Sequence, residues 1–439
     1  MKTFKGGIHP PDRKELVKDS PIVDMPLSKV YAVYVQQHLG APAKPIVEAG
    51  QEVKKGQELS EPMGFVSVAV HSPTSGRVKA VTKRVHPVTG LLAPCIEIES
   101  DGRDEWLEGK PVHRDPFTLS KDDLLSMIRD SGIVGMGGAT FPTHVKLSPP
   151  KDKSIDTFIV NGAECEPYLA ADHRLMLEEP GRVLEGIRIA LRILGLPKAI
   201  LAIEANKPDV IKRMESLVPP EIQVQSLKVK YPQGAEKQLI EALTHREVPS
   251  GGLPMDVGAI VQNAGTCAAI SDACSRGIPL IERITSVTGR GIQNPMNLRI
   301  RIGTPLSEIF EFCGGLKDPA KVIFGGPMMG IAQYSDQITI MKGTSGVLVL
   351  TRDDTNVSTY AACISCGRCV DACPMGLIPS TLSKMGEKGL WQEAVEFDLL
   401  DCVECGSCTY VCPSNRPIVH FIKHLKALLR AASAKSKGA

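Results

Sequence analysis

Eight of the chain's 13 cysteines fall in two short runs, CISCGRCVDACP beginning at Cys363 and CVECGSCTYVCP beginning at Cys402. Both follow C-x2-C-x2-C-x3-C-P, the ligand spacing of [4Fe–4S] clusters. Two-residue gaps let a loop wrap one cubane corner by corner, with its N–H groups aimed at the sulfurs. The proline throws the fourth cysteine out of that loop, and where two such runs occur together that cysteine ligates the other cluster. The spacing therefore predicts one cluster on Cys363, Cys366, Cys369 and Cys412, and a second on Cys402, Cys405, Cys408 and Cys373. Two cubanes interlocked in this way lie close together, which suits electron hopping. Paired zinc sites, the competing reading, would draw four ligands per metal from two C-x2-C halves and would not close each quartet with Cys-Pro.

A length of 439 residues leaves room for about two to four domains. A hydrophobic content of 43% with 23% charged residues suits soluble globular folding. A net charge of +2 and an aromatic content of 4% supply neither the electrostatic footprint nor the stacking platforms of a nucleic-acid binder. The first 20 residues are charged and proline-containing, without the apolar centre of a signal peptide. No apolar run approaches the ~18 residues of a membrane span. The expectation is a cytosolic chain that can dock on the inner face of the cell membrane as part of a complex.

Between the cysteine runs, IPSTLSKMGEKGLWQEAVEFD has helix-forming composition, so the cluster module is expected to be of the helical ferredoxin type. After Cys412, Ile418, Phe421, Ile422, Leu425, Leu428 and Leu429 recur at helical period opposite Lys423, Lys426 and Arg430. This predicts a helix laid on the cluster domain. Residues 30–100 are β-branched and turn-rich, and AGQEVKKGQEL with VHSPTSGRVKAV resembles the barrel-sandwich of lipoyl and biotinyl carriers. Those carriers present a modifiable lysine at a hairpin tip. The corresponding EPMGFVSV has none, which implies a structural or docking domain and not a swinging arm.

In the middle, Ser120 to Asp123 form a helix-start signature before LLSMI. Strands are expected at 156–162, 198–206 and 222–230, with helices at 181–194, about 208–217 and 235–244. That alternation argues an α/β core with a largely parallel sheet. Residues 282–350 change character, and two strands, a helix begun at Thr304 and a further strand suggest a β-grasp module. Four polar stretches, GMGGATFPTHVK (135–146), NGAECEPY (161–168), YPQGAEKQ (231–238) and VQNAGT (261–266), are placed to converge at the carboxyl ends of the strands, where open α/β sheets bind ligands. G-x-G-x-x-G fails at Thr140, and GGPMMG (325–330) carries Pro327, so no Rossmann fingerprint is present. A flavin is the sensible converter between a two-electron nicotinamide and one-electron clusters.

These four stretches, in this order, resemble the flavin-binding subunit of respiratory complex I. Together with the FKGGIHPP start, the carrier-like barrel and the two cluster runs, residues 1–430 resemble the RnfC family of Rnf-type electron transport complexes. The resemblance implies FMN and NAD(H) as cofactor and substrate beside two [4Fe–4S] clusters. It implies Gly135, Gly137 and Gly138 against FMN, and Lys146 on its phosphate. Asn161, Glu164 and Glu166 would line the flavin and nicotinamide side, and Tyr231, Gly234 and Glu236 the NADH pocket. Gln262, Asn263 and Thr266 would close on the phosphate and ribityl. No catalytic acid–base side chain is required. The complex I pattern differs at Met136, Ala163, Ala235 and Tyr168-Leu169. His144, in the FPTHVK turn, is expected to be exposed.

The expected fold is multidomain α/β: a barrel-sandwich domain (1–110), an FMN/NADH-binding α/β domain (111–280), a β-grasp, SLBB-like module (281–350) and a helical two-cluster ferredoxin domain (351–439). The expected function is that of a peripheral subunit of an ion-translocating ferredoxin:NAD oxidoreductase whose partners are other subunits of the complex. A soluble flavin/iron–sulfur cobalamin reductase and a flavin-less electron-wire subunit are the alternatives.

Overall fold

The computed structural model describes residues 1–355 and 359–437, so three residues and the last two of the 351–439 module lie outside the described residues. The α/β core is a four-stranded, wholly parallel sheet in the order Ile222–Leu227, Ala199–Glu204, Thr157–Asn161, Ala259–Asn263. The three strands Ala199–Glu204, Thr157–Asn161 and Ala259–Asn263 are short and mainly apolar because both faces are covered, while Ile222–Leu227, at one edge, carries Gln223, Gln225 and Ser226. Phe158, Val160, Leu201 and Ile260 meet the helices Pro180–Leu194 and Ala264–Arg276 on one face, while Ile159, Ala202 and Val261 meet Leu239 and Ile240 on the other. Gly186 lies directly against the Cys267 carbonyl, where any side chain would separate the two helices. The helix Lys121–Asp130 is capped reciprocally by Ser120 and Asp123, as its sequence signature predicts.

The barrel is a four-stranded antiparallel sheet ordered Val30–Tyr34, Leu92–Ser100, Gly76–Val85, Glu52–Val53, with the small ribbon Lys44–Pro45/Ser60–Glu61. The β-grasp sheet has six strands, one of which, Ile22–Asp24, comes from the chain's first segment and pairs parallel with Met296–Arg301. Its helix runs Leu306–Phe312, starting two residues after the expected Thr304, because Pro305 occupies the cap position. The first eight residues run along the α/β core, bridging Lys2 to Leu227 and Ile8 to Tyr231.

In the C-terminal module, Pro379–Lys388, Trp391–Val395 and Ile418–Lys437 enclose Leu382, Ala394, Leu399, Ile418, Ile422 and Leu425. Lys426, expected on the wet face of the last helix, is instead buried and donates to the Cys402 carbonyl (2.6 Å) and the Glu404 carboxylate (2.9 Å). It fixes the last helix onto the loop that carries Cys402.

Barrel, core and β-grasp module meet at Lys342. Its fully buried Nζ donates to the carbonyls of Ala69 (2.8 Å) and Gly132 (2.7 Å), and forms no ion pair among the described residues. Burial lowers its pKa to about 7, and a neutral amine still has N–H groups for both carbonyls. The folded state therefore binds one proton fewer than the unfolded chain between pH 7 and about 10.5. Stability should rise with pH across that window by up to about 1.4 kcal/mol per unit. Urea titrations from pH 6.5 to 10 are expected to show this slope in the wild type and its loss in Lys342→Met; parallel curves would refute the assignment.

Candidate functional site

The strands Thr157–Asn161 and Ala259–Asn263 end level with each other, Asn161 opposite Asn263. Their carboxyl ends gather most of the predicted pocket. The Asn161 amide nitrogen donates to the Gly234 carbonyl (2.8 Å), and its oxygen accepts from the Ala163 N–H (3.1 Å). Asn263 caps the helix Ala264–Arg276 by accepting from the Thr266 N–H (3.2 Å), and donates to Asp172 (2.6 Å). The buried Thr266 hydroxyl accepts from the Met136 N–H (2.8 Å), which pins the glycine loop over the helix start. Lys146 is held in the same place, its Nζ 2.6 Å from Glu236 and 2.8 Å from the Val261 carbonyl.

The glycine loop is bare where a ligand could approach. Gly135 donates to the Phe141 carbonyl (2.9 Å), closing the turn. A side-chain carbon at Gly137 would stand 3.5 Å from Asn263, and one at Gly138, whose φ is +112°, would meet no atom within 4 Å. Gln262 is buried at the strand end with its amide nitrogen unpartnered, and both amide atoms of buried Gln233, beside Gly234 in the YPQGAEKQ stretch, are likewise unpartnered. Buried polar groups are nearly always satisfied. An open glycine cradle, a lysine and orphaned amides are what a phosphate-bearing, carbonyl-rich ring cofactor such as FMN would complete.

The turn at 163–169 is gripped from below by two buried lysines that no motif marks. Lys14 donates to the carbonyls of Glu164 and Glu166 (both 2.9 Å) and of Leu169; Lys207 donates to Ala163 O (2.5 Å). Glu164, at φ 45°, turns its carboxylate onto the N–H groups of Asp172 (2.8 Å) and His173 (3.1 Å), capping the helix Ala171–Glu178. Asp172, also unmarked in the sequence, is pushed well above the ordinary carboxylate range by burial and then by Glu164. Burial likewise raises the Cys165 thiol, which disfavours the thiolate form a nucleophile needs. His144 is buried, not exposed: it stacks edge-on with Phe65 and bonds the Phe65 carbonyl (3.0 Å), docking the lysine-less barrel hairpin on the glycine loop.

Glu166 and Tyr231 differ from the other expected pocket residues in what they engage. The Glu166 carboxylate accepts from the N–H groups of Met328 (3.1 Å) and Met329 (2.8 Å) in the β-grasp module. The Tyr231 hydroxyl donates to the Cys405 carbonyl (2.7 Å) in the cluster module.

In that module one pocket is walled by Cys373, Cys402, Cys405 and Cys408, with Met375 and Leu377, and a second by Cys363, Cys366, Cys369 and Cys412. Each quartet takes three cysteines from one run and the fourth from the other. None of the eight is in a disulfide. Amides of Met375, Gly376 and Leu377 are aimed at the Cys373 sulfur, Ser380 at Cys369, and the Glu404 N–H at Cys402 (3.4 Å). Among the described residues no three His, Cys, Asp or Glu side chains converge on one ion.

The joint between core and cluster module lies at the first of these pockets. Gly7 N–H donates to Ala372 O (3.0 Å), and a side chain on Gly6 (φ +75°) would stand 2.6 Å from the Cys373 carbonyl. Gln238 reaches Pro374 O (3.3 Å), and Ile8 and Tyr231 pack with Ala372 and Cys405. The double glycine of FKGGIHPP thus lets the first segment lie on the backbone at Cys373.

Site and fold together define a flavin- and iron–sulfur-dependent oxidoreductase module. Family models agree piece by piece: a barrel sandwich hybrid domain of the RnfC type over 2–103, a Nuo51 FMN-binding domain over 128–272, an SLBB domain over 284–332 and a 4Fe-4S dicluster domain over 362–416. FMN and two [4Fe–4S] clusters are its cofactors. The chain is 53% identical over its whole length, and over 96% of the relative's, to the C-subunit of the proton-translocating ferredoxin:NAD(+) oxidoreductase complex of Clostridium ljungdahlii. It is 44% identical to the C-subunit of the Na(+)-translocating complex of Acetobacterium woodii, covering 99% of this chain and 98% of that one. The chain belongs to the RnfC family, the C-subunits of Rnf-type ferredoxin:NAD oxidoreductase complexes. In fold it is also like a chain in the crystal structure of an air-oxidised NAD+-reducing [NiFe]-hydrogenase (TM-score 0.52, 19% identity, 72% of this chain and 64% of that one). Among the described residues no helix is long and apolar enough to cross a membrane.

Proposed function

We propose that the protein is the peripheral, NAD-linked subunit of a membrane-bound ion-translocating ferredoxin:NAD oxidoreductase, docked on the inner face of the cell membrane. Bound flavin exchanges hydride with nicotinamide, and the clusters carry single electrons to or from partner subunits. The chain's own residues bind and orient. Lys146 and the N–H-bearing backbone around Gly135, Gly137 and Gly138 hold the FMN phosphate end. Gln262, Asn263 and Thr266 shape the adjoining wall, and Asn161, Gly234 and Glu236 the opposite one. Glu164 fixes the turn beside it through the helix start at Asp172. Cys363, Cys366, Cys369 and Cys412 hold one cluster; Cys402, Cys405, Cys408 and Cys373 hold the other. The four modules are assigned to 1–110, 111–280, 281–350 and 351–439.

The observation that carries this reading is the meeting of an open glycine cradle, Lys146 and orphaned Gln262 at the sheet's carboxyl edge, one joint away from a four-cysteine pocket. Anaerobic reconstitution of the full chain is expected to yield about one FMN and about eight irons per chain. Iron without flavin would replace this reading with the flavin-less electron wire.

A further inference from the structure

GGPMMG, residues 325–330, has no part in the flavin cradle or in either cysteine quartet. It forms the turn between the β-grasp strands Pro319–Phe324 and Ile331–Gln333. Both amides at its tip, Met328 and Met329, donate to the Glu166 carboxylate across the domain boundary. Gly326 lies so close to Glu166 that a side chain there would collide with the carboxylate. On its other side the turn touches the cluster module. Met328 packs with Cys405, Tyr231, Ile8 and Cys165, and a side chain on Gly406 would stand 2.9 Å from the Met328 carbonyl. Gly406 follows Cys405 and precedes the short helix Ser407–Tyr410, which carries Cys408. A single carboxylate in the NGAECEP turn therefore holds a β-grasp turn against the wall of one cluster pocket.

We infer that Glu166 is a positioning residue for flavin-to-cluster electron transfer: it clamps the Met328–Met329 turn against Cys405 and Gly406, and so fixes the α/β core and the cluster module at their shared joint. The cluster pocket of Cys373, Cys402, Cys405 and Cys408 is then the one that exchanges electrons with the flavin side. The pocket of Cys363, Cys366, Cys369 and Cys412, whose Cys366 is exposed, faces outward. Each event moves one electron from reduced flavin to an oxidised cluster and needs no further reactant. Glutamate suits the clamp because one carboxylate accepts two N–H bonds at once. Glutamine keeps a carbonyl oxygen able to accept, whereas alanine leaves both amides bare.

The inference rests on the function proposed above, and two measurements on the reconstituted full-length protein separate their failures. Amide hydrogen exchange at Met328 and Met329 is expected to rise roughly tenfold or more in Glu166→Ala and to stay near wild type in Glu166→Gln. In anaerobic rapid mixing with NADH, cluster bleaching in Glu166→Ala should lag its own flavin bleaching roughly tenfold or more further than in the wild type; Glu166→Gln should restore the ratio. Gly326→Ala, which displaces the same carboxylate, should mimic Glu166→Ala. Unchanged exchange in Glu166→Ala, unchanged cluster bleaching, or slowing confined to the flavin step would each overturn the inference. A wild-type flavin unmoved by NADH would defeat the functional reading instead, with the exchange arm still judging the clamp.

Discussion

Cys373→Ala should remove the cluster of the other cysteine run, not of its own. Cys373 follows the CISCGRC loop in sequence, yet it shares a pocket with Cys402, Cys405 and Cys408. Its sulfur also receives the backbone amides of Met375, Gly376 and Leu377. Iron should fall from about eight to about four per chain. The cluster that survives is the one held by Cys363, Cys366, Cys369 and Cys412. Because the lost cluster lies at the joint touched by Gly7, Tyr231 and Gln238, the survivor should respond to dithionite but no longer to NADH. FMN content should be unchanged, which separates ligand loss from unfolding. Cys412→Ala should do the reverse, removing the outward cluster and leaving NADH able to reduce the inner one. Iron assay and low-temperature EPR read both variants. Loss of the cluster of Cys373's own run would mean that the quartets are not crossed.

The second large effect is expected at Lys146. Its ammonium pairs with Glu236 at 2.6 Å and sits at the edge of the bare glycine loop. Hydrogen bonds to charged groups contribute roughly 1.5–3 kcal/mol each, and every 1.4 kcal/mol is about tenfold in affinity. Lys146→Met removes such a bond to the phosphate and also leaves Glu236 facing an anion without its cation. FMN should bind about a hundredfold more weakly. Lys146→Met combined with Glu236→Gln removes the repulsion and should recover about tenfold of that loss, which identifies the part due to the orphaned carboxylate. Fluorescence titration of the iron-loaded apoflavin protein measures it. Unaltered FMN binding in Lys146→Met would remove the lysine from the phosphate site.

Much of this was legible in local sequence, and the reasons are local. Cysteine spacing encodes loop geometry directly, so the sequence alone joins Cys373 to the second run, and the same four cysteines wall one pocket. The parallel sheet followed from short apolar runs alternating with amphipathic helices. Asn161 and Asn263 stand side by side because strand ends in such a sheet share one edge. What escaped was fixed by contacts distant in sequence. Lys14 and Lys207 belong to no motif, yet both are buried under carbonyls of the 163–169 turn. Asp172 sits in an unremarkable helix start and joins the site through Glu164 and through Asn263, 91 residues away. Lys426 lay on the expected wet face of its helix and is buried because a carbonyl and a carboxylate of the Cys402 loop need it there. His144 looked like a turn residue in water until the barrel hairpin covered it. Glu166 shares a motif with Glu164, but its partners come from a turn some 160 residues later.

The central claim is that this one chain carries the whole route from nicotinamide through flavin to clusters. Anaerobic titration of the FMN- and iron-reconstituted protein with NADH, followed optically and by EPR on frozen samples, tests it most directly. The account predicts that the flavin bands bleach first, that the broad cluster absorbance falls next, and that reduced-cluster EPR signals then develop with no other protein present. Clusters that dithionite reduces but NADH does not, in a protein retaining its FMN, would contradict it.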